Sequence, residues 1–150
     1  TDFESGDRAQ IFSVGDARIL PVICFEILSD RLLQQDIGNS NLIIAQTNNA
    51  TFGESAESDQ QLQITRARAI ESGRNIVVVS TVGNTAFIDR TGEIISILPK
   101  YEAGILYGEV NLSIADTPAS WLSAWVEQGC FVVIVILLLS FLKRRYFRVP

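Results

Sequence analysis

Cys24 is the residue whose type and setting could do chemistry. It lies in the apolar run Ile19–Phe25 (ILPVICF), a buried strand candidate, and Phe25-Glu26 and a short helix follow at once. A strand-to-helix turn points a side chain out of a sheet and turns backbone N–H groups toward a bound oxyanion. Only the thiolate attacks, and an unperturbed thiol ionises near pH ~8.5. With no His in the chain, the activating partner must be a Lys, a Glu or a helix N-terminus; the single Lys before residue 119 is Lys100. Taken on composition alone, a Cys in an apolar strand reads as a core residue.

The elements around it alternate. Ser29 is placed to cap a helix over Asp30–Ile37, stopped by Gly38. Leu42–Gln46 is a second buried strand, and Thr47–Gly53 (TNNATFG) a polar loop with one Phe. Ser58 is expected to cap a helix over Asp59–Ser72, ended by Gly73. Ile76–Thr81 is a third strand. Thr85–Ile88 and Glu93–Leu98 flank the turn signal Asp89-Arg90-Thr91-Gly92, and Gly104–Val110 is expected to be a last strand. Continuous Val/Ile runs indicate strands covered on both faces. The order predicts an α/β layered sandwich.

Charge divides the 150 residues unevenly. Residues 129–150 carry +4 from Lys143, Arg144, Arg145 and Arg148, so the net −5 leaves −9 on residues 1–128. An acidic body with a basic tip excludes a body-wide nucleic-acid surface. Without His, a Cys–His or Ser–His pair and a His-based metal site are excluded within this chain, and no metal or cofactor is expected. Two cysteines, Cys24 and Cys130, do not make a disulfide framework. The lack of Met, even at position 1, reads as a processed product or a piece of something longer.

Phe131–Leu139 is uninterruptedly apolar and shows no polar face at helical period. Extended back to Trp121, the stretch to Leu142 is about 33 Å long as a helix, enough for a bilayer. Its Phe, Val, Ile and Leu side chains favour insertion by roughly 3–7 kcal/mol. Trp121 and Trp125 suit an interfacial belt, and Lys143-Arg144-Arg145 puts the C-terminus in the cytoplasm. Two domains are therefore expected. Residues 1–118 form an extracytoplasmic body; residues 119–150 hold a span at about 121–142 and a basic cytoplasmic tail. Cys130 reads as a membrane-buried thiol.

Val22-Ile23-Cys24-Phe25-Glu26-Ile27 resembles the nucleophile segment of the nitrilase (carbon–nitrogen hydrolase) superfamily. Thr47-Asn48-Asn49-Ala50-Thr51-Phe52-Gly53 resembles the Asn-Asp-Ala-Trp-Phe-Gly loop of its membrane-bound branch, the apolipoprotein N-acyltransferases. Arg68-Ala69-Ile70-Glu71 with Gly73-Arg74 is similar to that family's Arg-Ala-x-Glu-x-Gly-Arg helix. Ser80–Ala86 with Ile88-Asp89 and Gly92 is similar to its next strand pair, and Thr117-Pro118 to its entry into a terminal span. The likeness covers about residues 10–142. Thr51 replaces the usual Trp, and Gln60 or Gln61 stands where many members have His.

The resemblance implies an αββα nitrilase-type sandwich, here partial, followed by one transmembrane helix in the plasma membrane of a bacterium. It implies a monomer that takes an acyl chain from a phospholipid onto Cys24 as a thioester. The chain then passes to the amino group of the diacylglyceryl-cysteine of an apolipoprotein. By the same resemblance Glu26 holds the elbow or positions the incoming amine. Phe25, Asn48 and Phe52 line the pocket or acyl entrance, and Arg68, Glu71 and Arg74 form a structural ion network. The family's Glu base and Lys stand upstream of its Cys; before Cys24 there is no Lys, only a segment tail near Gly6-Asp7. A C-terminal fragment, inactive alone, is therefore expected. Two other readings are a membrane-tethered nitrilase-type amidase and a non-catalytic anchored remnant.

Overall fold

The structure, a computed structural model, describes residues 10–146, without the side chains of 123, 124 and 144–146. Gly6-Asp7 and Arg148 lie outside the described residues. The chain divides into two compact units between Thr117 and Pro118.

In the first unit six strands form one sheet in chain order: β1 (Phe12–Val14), β2 (Ala17–Ile23), β3 (Leu42–Thr47), β4 (Asn75–Ser80), β5 (Thr85–Ile88) and β6 (Ile94–Leu98). β2, β3 and β4 are parallel, and β1, β5 and β6 join antiparallel. The parallel pairs need crossovers, supplied by α1 (Asp30–Asp36) and α2 (Glu57–Ser72). Alternate residues of the strands meet these helices: Leu20, Val22, Ile43, Ala45, Ile76, Val78, Ala86 and Ile88 form one buried cluster with Ile27, Leu33, Ile37, Leu62 and Ala69. This is the α/β sheet the sequence predicts, but the central strands are not covered on both faces: Ile23 and Val79, on the face away from this cluster, are exposed. Pro21 sits in β2, but β1 reaches only to Ile19, so at Pro21 the strand is an edge on that side. A residue without an N–H is tolerated there.

Several expectations are corrected. β2 stops at Ile23, and Cys24–Leu28 is a 3₁₀ turn, so Cys24 and Phe25 follow the strand. Ser29 does cap α1, accepting from the Leu32 N–H. α2 begins at Glu57 with Ala56 as its N-cap. Ser58, expected to be that cap, is buried and accepts instead from the backbone and side-chain N–H groups of Asn84. Gly104–Val110 is not a strand. Gly108 packs so flat on Phe87 that a Cβ there would sit 2.5 Å from the ring. The stretch that follows is tied down singly: Asn75 Nδ2 donates to the Asn111 carbonyl, and the Ser113 N–H to the Asn41 carbonyl. β1 was not foreseen. Its signal is Gly15-Asp16, a two-residue hairpin turn with Gly15 at φ +56°.

The second unit holds α3 (Pro118–Tyr146). Within it Trp125–Lys143 is long and apolar enough to cross a membrane, and none of that window is buried.

Candidate active site

Cys24 takes a left-handed backbone, φ +51°. For a non-glycine residue that conformation costs about 1–2 kcal/mol, so neighbouring bonds must hold it. Upstream, Glu26 Oε2 accepts from the Ile23 N–H at 2.7 Å. Within the turn, the Ser29 N–H donates to the Glu26 carbonyl at 2.9 Å. Ile27, 1% exposed, anchors the turn in the core. From α2, Gln61 Nε2 donates to the Cys24 carbonyl at 3.3 Å, and Arg68 donates to the carbonyls of Ile27 and Leu28 at 2.9 and 2.8 Å. The local sequence thus makes an elbow, and the Glu26 carboxylate bonds back to its first residue.

The elbow sits at the carboxyl ends of the parallel strands, where open α/β sheets bind ligands. Ile23 pairs with Gln46, and Thr47 with Ser80, so Cys24, Thr47 and Ser80 fall in one row. Beneath them is a small pocket of about 10 Å³, at the lower limit for admitting one water molecule. Its polar wall is Cys24, Thr47, Asn49, Ser58, Gln61 and Asn84; its floor includes Ile27, Ala45, Leu62 and Val78. The half-buried thiol faces the Thr47 hydroxyl at 4.0 Å. That hydroxyl has one proton, with Asn49 Oδ1 at 2.8 Å and Gln61 Oε1 at 3.2 Å also within its reach.

Asn49 is the residue the sequence reading passed over. It is 2% exposed. Its Oδ1 accepts from Thr47 and Ser80, and its Nδ2 donates to Gln61 Oε1 at 2.9 Å. Strand parity could have found it: Ile43 and Ala45 face the core, and Thr47 and Asn49 continue that parity. Asn48 points elsewhere and is exposed. Its Oδ1 accepts from the Ala50 N–H and the Thr81 hydroxyl, shaping the loop. Phe25 and Phe52 are brought together, edge to face with centroids 5.9 Å apart; Phe25 is exposed and Phe52 half-buried. The Tyr101 hydroxyl donates to the Gly53 carbonyl and ties that loop down.

Lys100 is spent at the rim. Its Nζ pairs with Asp59 Oδ2 at 2.7 Å, and Asn84 Nδ2 donates to Asp59 Oδ1. The Lys100 hydrogen bond first, then that of Asn84, holds the Asp59 carboxyl below its ordinary pKa against a desolvation penalty. Arg68 pairs with Glu71 and Asp30, each at 2.5 Å. Burial opposes its charge, but these carboxylates outweigh burial and raise its pKa. Arg74, grouped with them in the sequence, stands apart. It is 2% exposed, and its guanidinium donates to the carbonyls of Ile37, Ser40, Ser72 and Ala115. Burial lowers its pKa, with Asp116 opposing and Arg18 adding to the shift. Cys130 is an exposed thiol on α3.

The arrangement can present a thiol at a constrained turn, over a polar pocket, beside an aromatic pair. Residues 2–118 match the carbon-nitrogen hydrolase family. The chain is 33% identical over 146 residues to the apolipoprotein N-acyltransferase of Azotobacter vinelandii, covering 97% of this chain and 28% of that protein. It is 29% identical over 127 residues to the one of Vibrio vulnificus, covering 83% and 25%. The chain thus spans about a quarter of the length of these curated relatives. Among solved structures, the glutamine-dependent NAD+ synthetase of Acinetobacter baumannii superposes with a TM-score of 0.61 at 20% identity, over 68% of this chain and 21% of that one. An amidase of Nesterenkonia sp., solved with acrylamide added to its active-site cysteine, superposes with a TM-score of 0.56 at 15% identity, over 68% and 42%. The extent of the family match, on a fold shared with those structures, establishes that the chain belongs to the carbon-nitrogen hydrolase family.

Proposed function

We propose that this chain is the nucleophile-bearing part of an apolipoprotein N-acyltransferase. The observation that carries the reading is Cys24 held at φ +51° at the carboxyl end of a parallel sheet. In the first step the Cys24 thiolate attacks an ester carbonyl of a phospholipid. The C–O bond breaks, the proton given up by the thiol passes to the departing oxygen so that the lysophospholipid leaves as an alcohol, and the acyl chain stays on Sγ as a thioester. In the second step the α-amino group of an apolipoprotein's diacylglyceryl-cysteine attacks that thioester. An amide forms and the thiol is regenerated. Phe25 and Phe52 offer an apolar edge to the acyl chain, and Asn48 shapes the loop that carries Phe52. Glu26 serves the reaction by fixing the elbow.

The names of the similar proteins and the apolar helix support a lipid substrate and a bacterial plasma-membrane setting. In this reading the body lies outside the cytoplasm, residues 119–150 anchor it, and the C-terminus is cytoplasmic. Among the described residues the side chain that hydrogen-bonds Cys24 Sγ is that of Thr47; Lys100 and Glu26 are engaged elsewhere. Among the described residues no carboxylate or amine is placed to take the thiol proton, general-base help worth about 10²–10⁴-fold. The 150 residues alone are therefore expected to be inactive.

The test uses the complete gene product in detergent micelles, with a phospholipid donor and a synthetic diacylglyceryl lipopeptide. Transfer of the acyl chain to the peptide's amine is expected. Hydrolysis of simple amides with no acyl transfer would overturn the reading in favour of an amidase.

A further inference from the structure

Two side chains of α2, Gln61 and Arg68, stand seven residues apart and so on one face of the helix. Both spend donors on the backbone of the Cys24 turn. Gln61 takes the carbonyl of Cys24 at its start; Arg68 takes those of Ile27 and Leu28 at its end. A 3₁₀ turn leaves its last carbonyls without partners of its own. Arg68 supplies them through Nε and one Nη. The other Nη goes to Glu71, and Asp30 at the start of α1 closes on the same guanidinium. Only 14% of the Arg68 side chain is exposed. The fork geometry matters, because Lys has a single nitrogen and cannot bond both carbonyls and both carboxylates.

We infer that Arg68 is a positioning residue for acyl transfer: by clamping the Ile27 and Leu28 carbonyls it holds the Cys24 elbow in its left-handed conformation. This rests on Cys24 being the nucleophile. An ion pair serving stability alone would need only Glu71 and Asp30. The two bonds to the turn connect Arg68 to the reacting sulfur through four residues of backbone. Without them the end of the turn is free to move, and Cys24 is free to relax to negative φ, which swings Sγ away from the pocket.

The complete gene product, carrying Cys130→Ala to leave one thiol of interest, is compared with Arg68→Ala, Arg68→Lys, Glu71→Gln and Cys24→Ala. The readouts are the rate of thioester formation at saturating phospholipid, the donor KM, and the pH profile of Cys24 alkylation by iodoacetamide below the melting transition. Arg68→Ala is expected to slow thioester formation by about 10–100-fold, the scale of a displaced reacting group. Its donor KM stays within about twofold, and its alkylation profile changes. Arg68→Lys falls between, and Glu71→Gln, which leaves both carbonyl bonds, stays near the parent. If Arg68→Ala only lowers the melting temperature, with rate and profile unchanged, the inference is overturned. If that variant does not fold, Arg68→Lys carries the comparison, and a parental rate overturns it equally. Thioester formation surviving in Cys24→Ala defeats the nucleophile reading itself. Loss in Cys24→Ala with parental rates in all Arg68 variants defeats the positioning role alone.

Discussion

At the residue scale the site depends on polar side chains that hold one another. Asn49 uses three hydrogen bonds to join β3, β4 and α2 behind Cys24. Asn49→Ala removes all three bonds, leaving Thr47 and Gln61 their mutual 3.2 Å contact and the half-buried Ser80 hydroxyl without its acceptor, and is expected to cost about 1–3 kcal/mol. Asn48→Ala, on the exposed side, is expected to cost well under about 1 kcal/mol. Urea titration of the two variants checks the difference; equal losses would show that Asn49 is not central. Phe52→Ala removes an edge-to-face partner of an exposed ring, worth about 0.5–1.5 kcal/mol. Acyl transfer should drop while abundance stays near normal, and collapse of abundance on an immunoblot would make Phe52 a core residue. Two aspartates contribute to the loss of stability in acid. Asp59 is lowered by Lys100 and Asn84, and Asp89 chiefly by its hydrogen bond from Thr91, with the Glu93 and Thr91 N–H groups adding to it. A lowered folded pKa means their stabilisation is complete above the ordinary value of 3.8 and is lost as pH falls through the lower folded value. Melting temperature followed from pH 6 to pH 2 should fall less steeply in Asp89→Asn than in the parent.

At the element scale α2 ends and the chain re-enters the sheet through Gly73 and Arg74. Gly73 has φ +64°, and a Cβ there would lie 2.6 Å from the Ala115 carbonyl oxygen. Gly73→Ala therefore combines a left-handed penalty of about 1–2 kcal/mol with a backbone clash. It should lower the denaturation midpoint by more than Gly38→Ala, where a Cβ meets nothing within 4 Å. The helices and the parallel strands were legible in the sequence because capping residues, glycine stops and apolar runs mark them. Ser29 capping α1 and Gly73 ending α2 are examples. Failures came where tertiary contacts outbid local signals. Ser58 was drawn to Asn84, and the stretch from Gly104 took side-chain and single backbone contacts in place of a ladder. Cys24 was legible as a candidate. That Asn49 and not Asn48 backs it depends on which way a loop residue turns, which only the extended parity of β3 hinted at.

At the scale of the whole molecule an acidic body and an apolar helix share one chain. If α3 spans the membrane as proposed, a reporter active only in the cytoplasm and fused after Pro150 should be active. A stable but inactive fusion reverses the orientation. The central claim is that Cys24, and not Cys130, carries the acyl group. It is tested most directly by the intact mass of the complete gene product after incubation with phospholipid. The expected result is a gain of one acyl chain that hydroxylamine removes, absent in Cys24→Ser and retained in Cys130→Ala. A hydroxylamine-labile adduct that persists in Cys24→Ser and maps to Cys130 would contradict it.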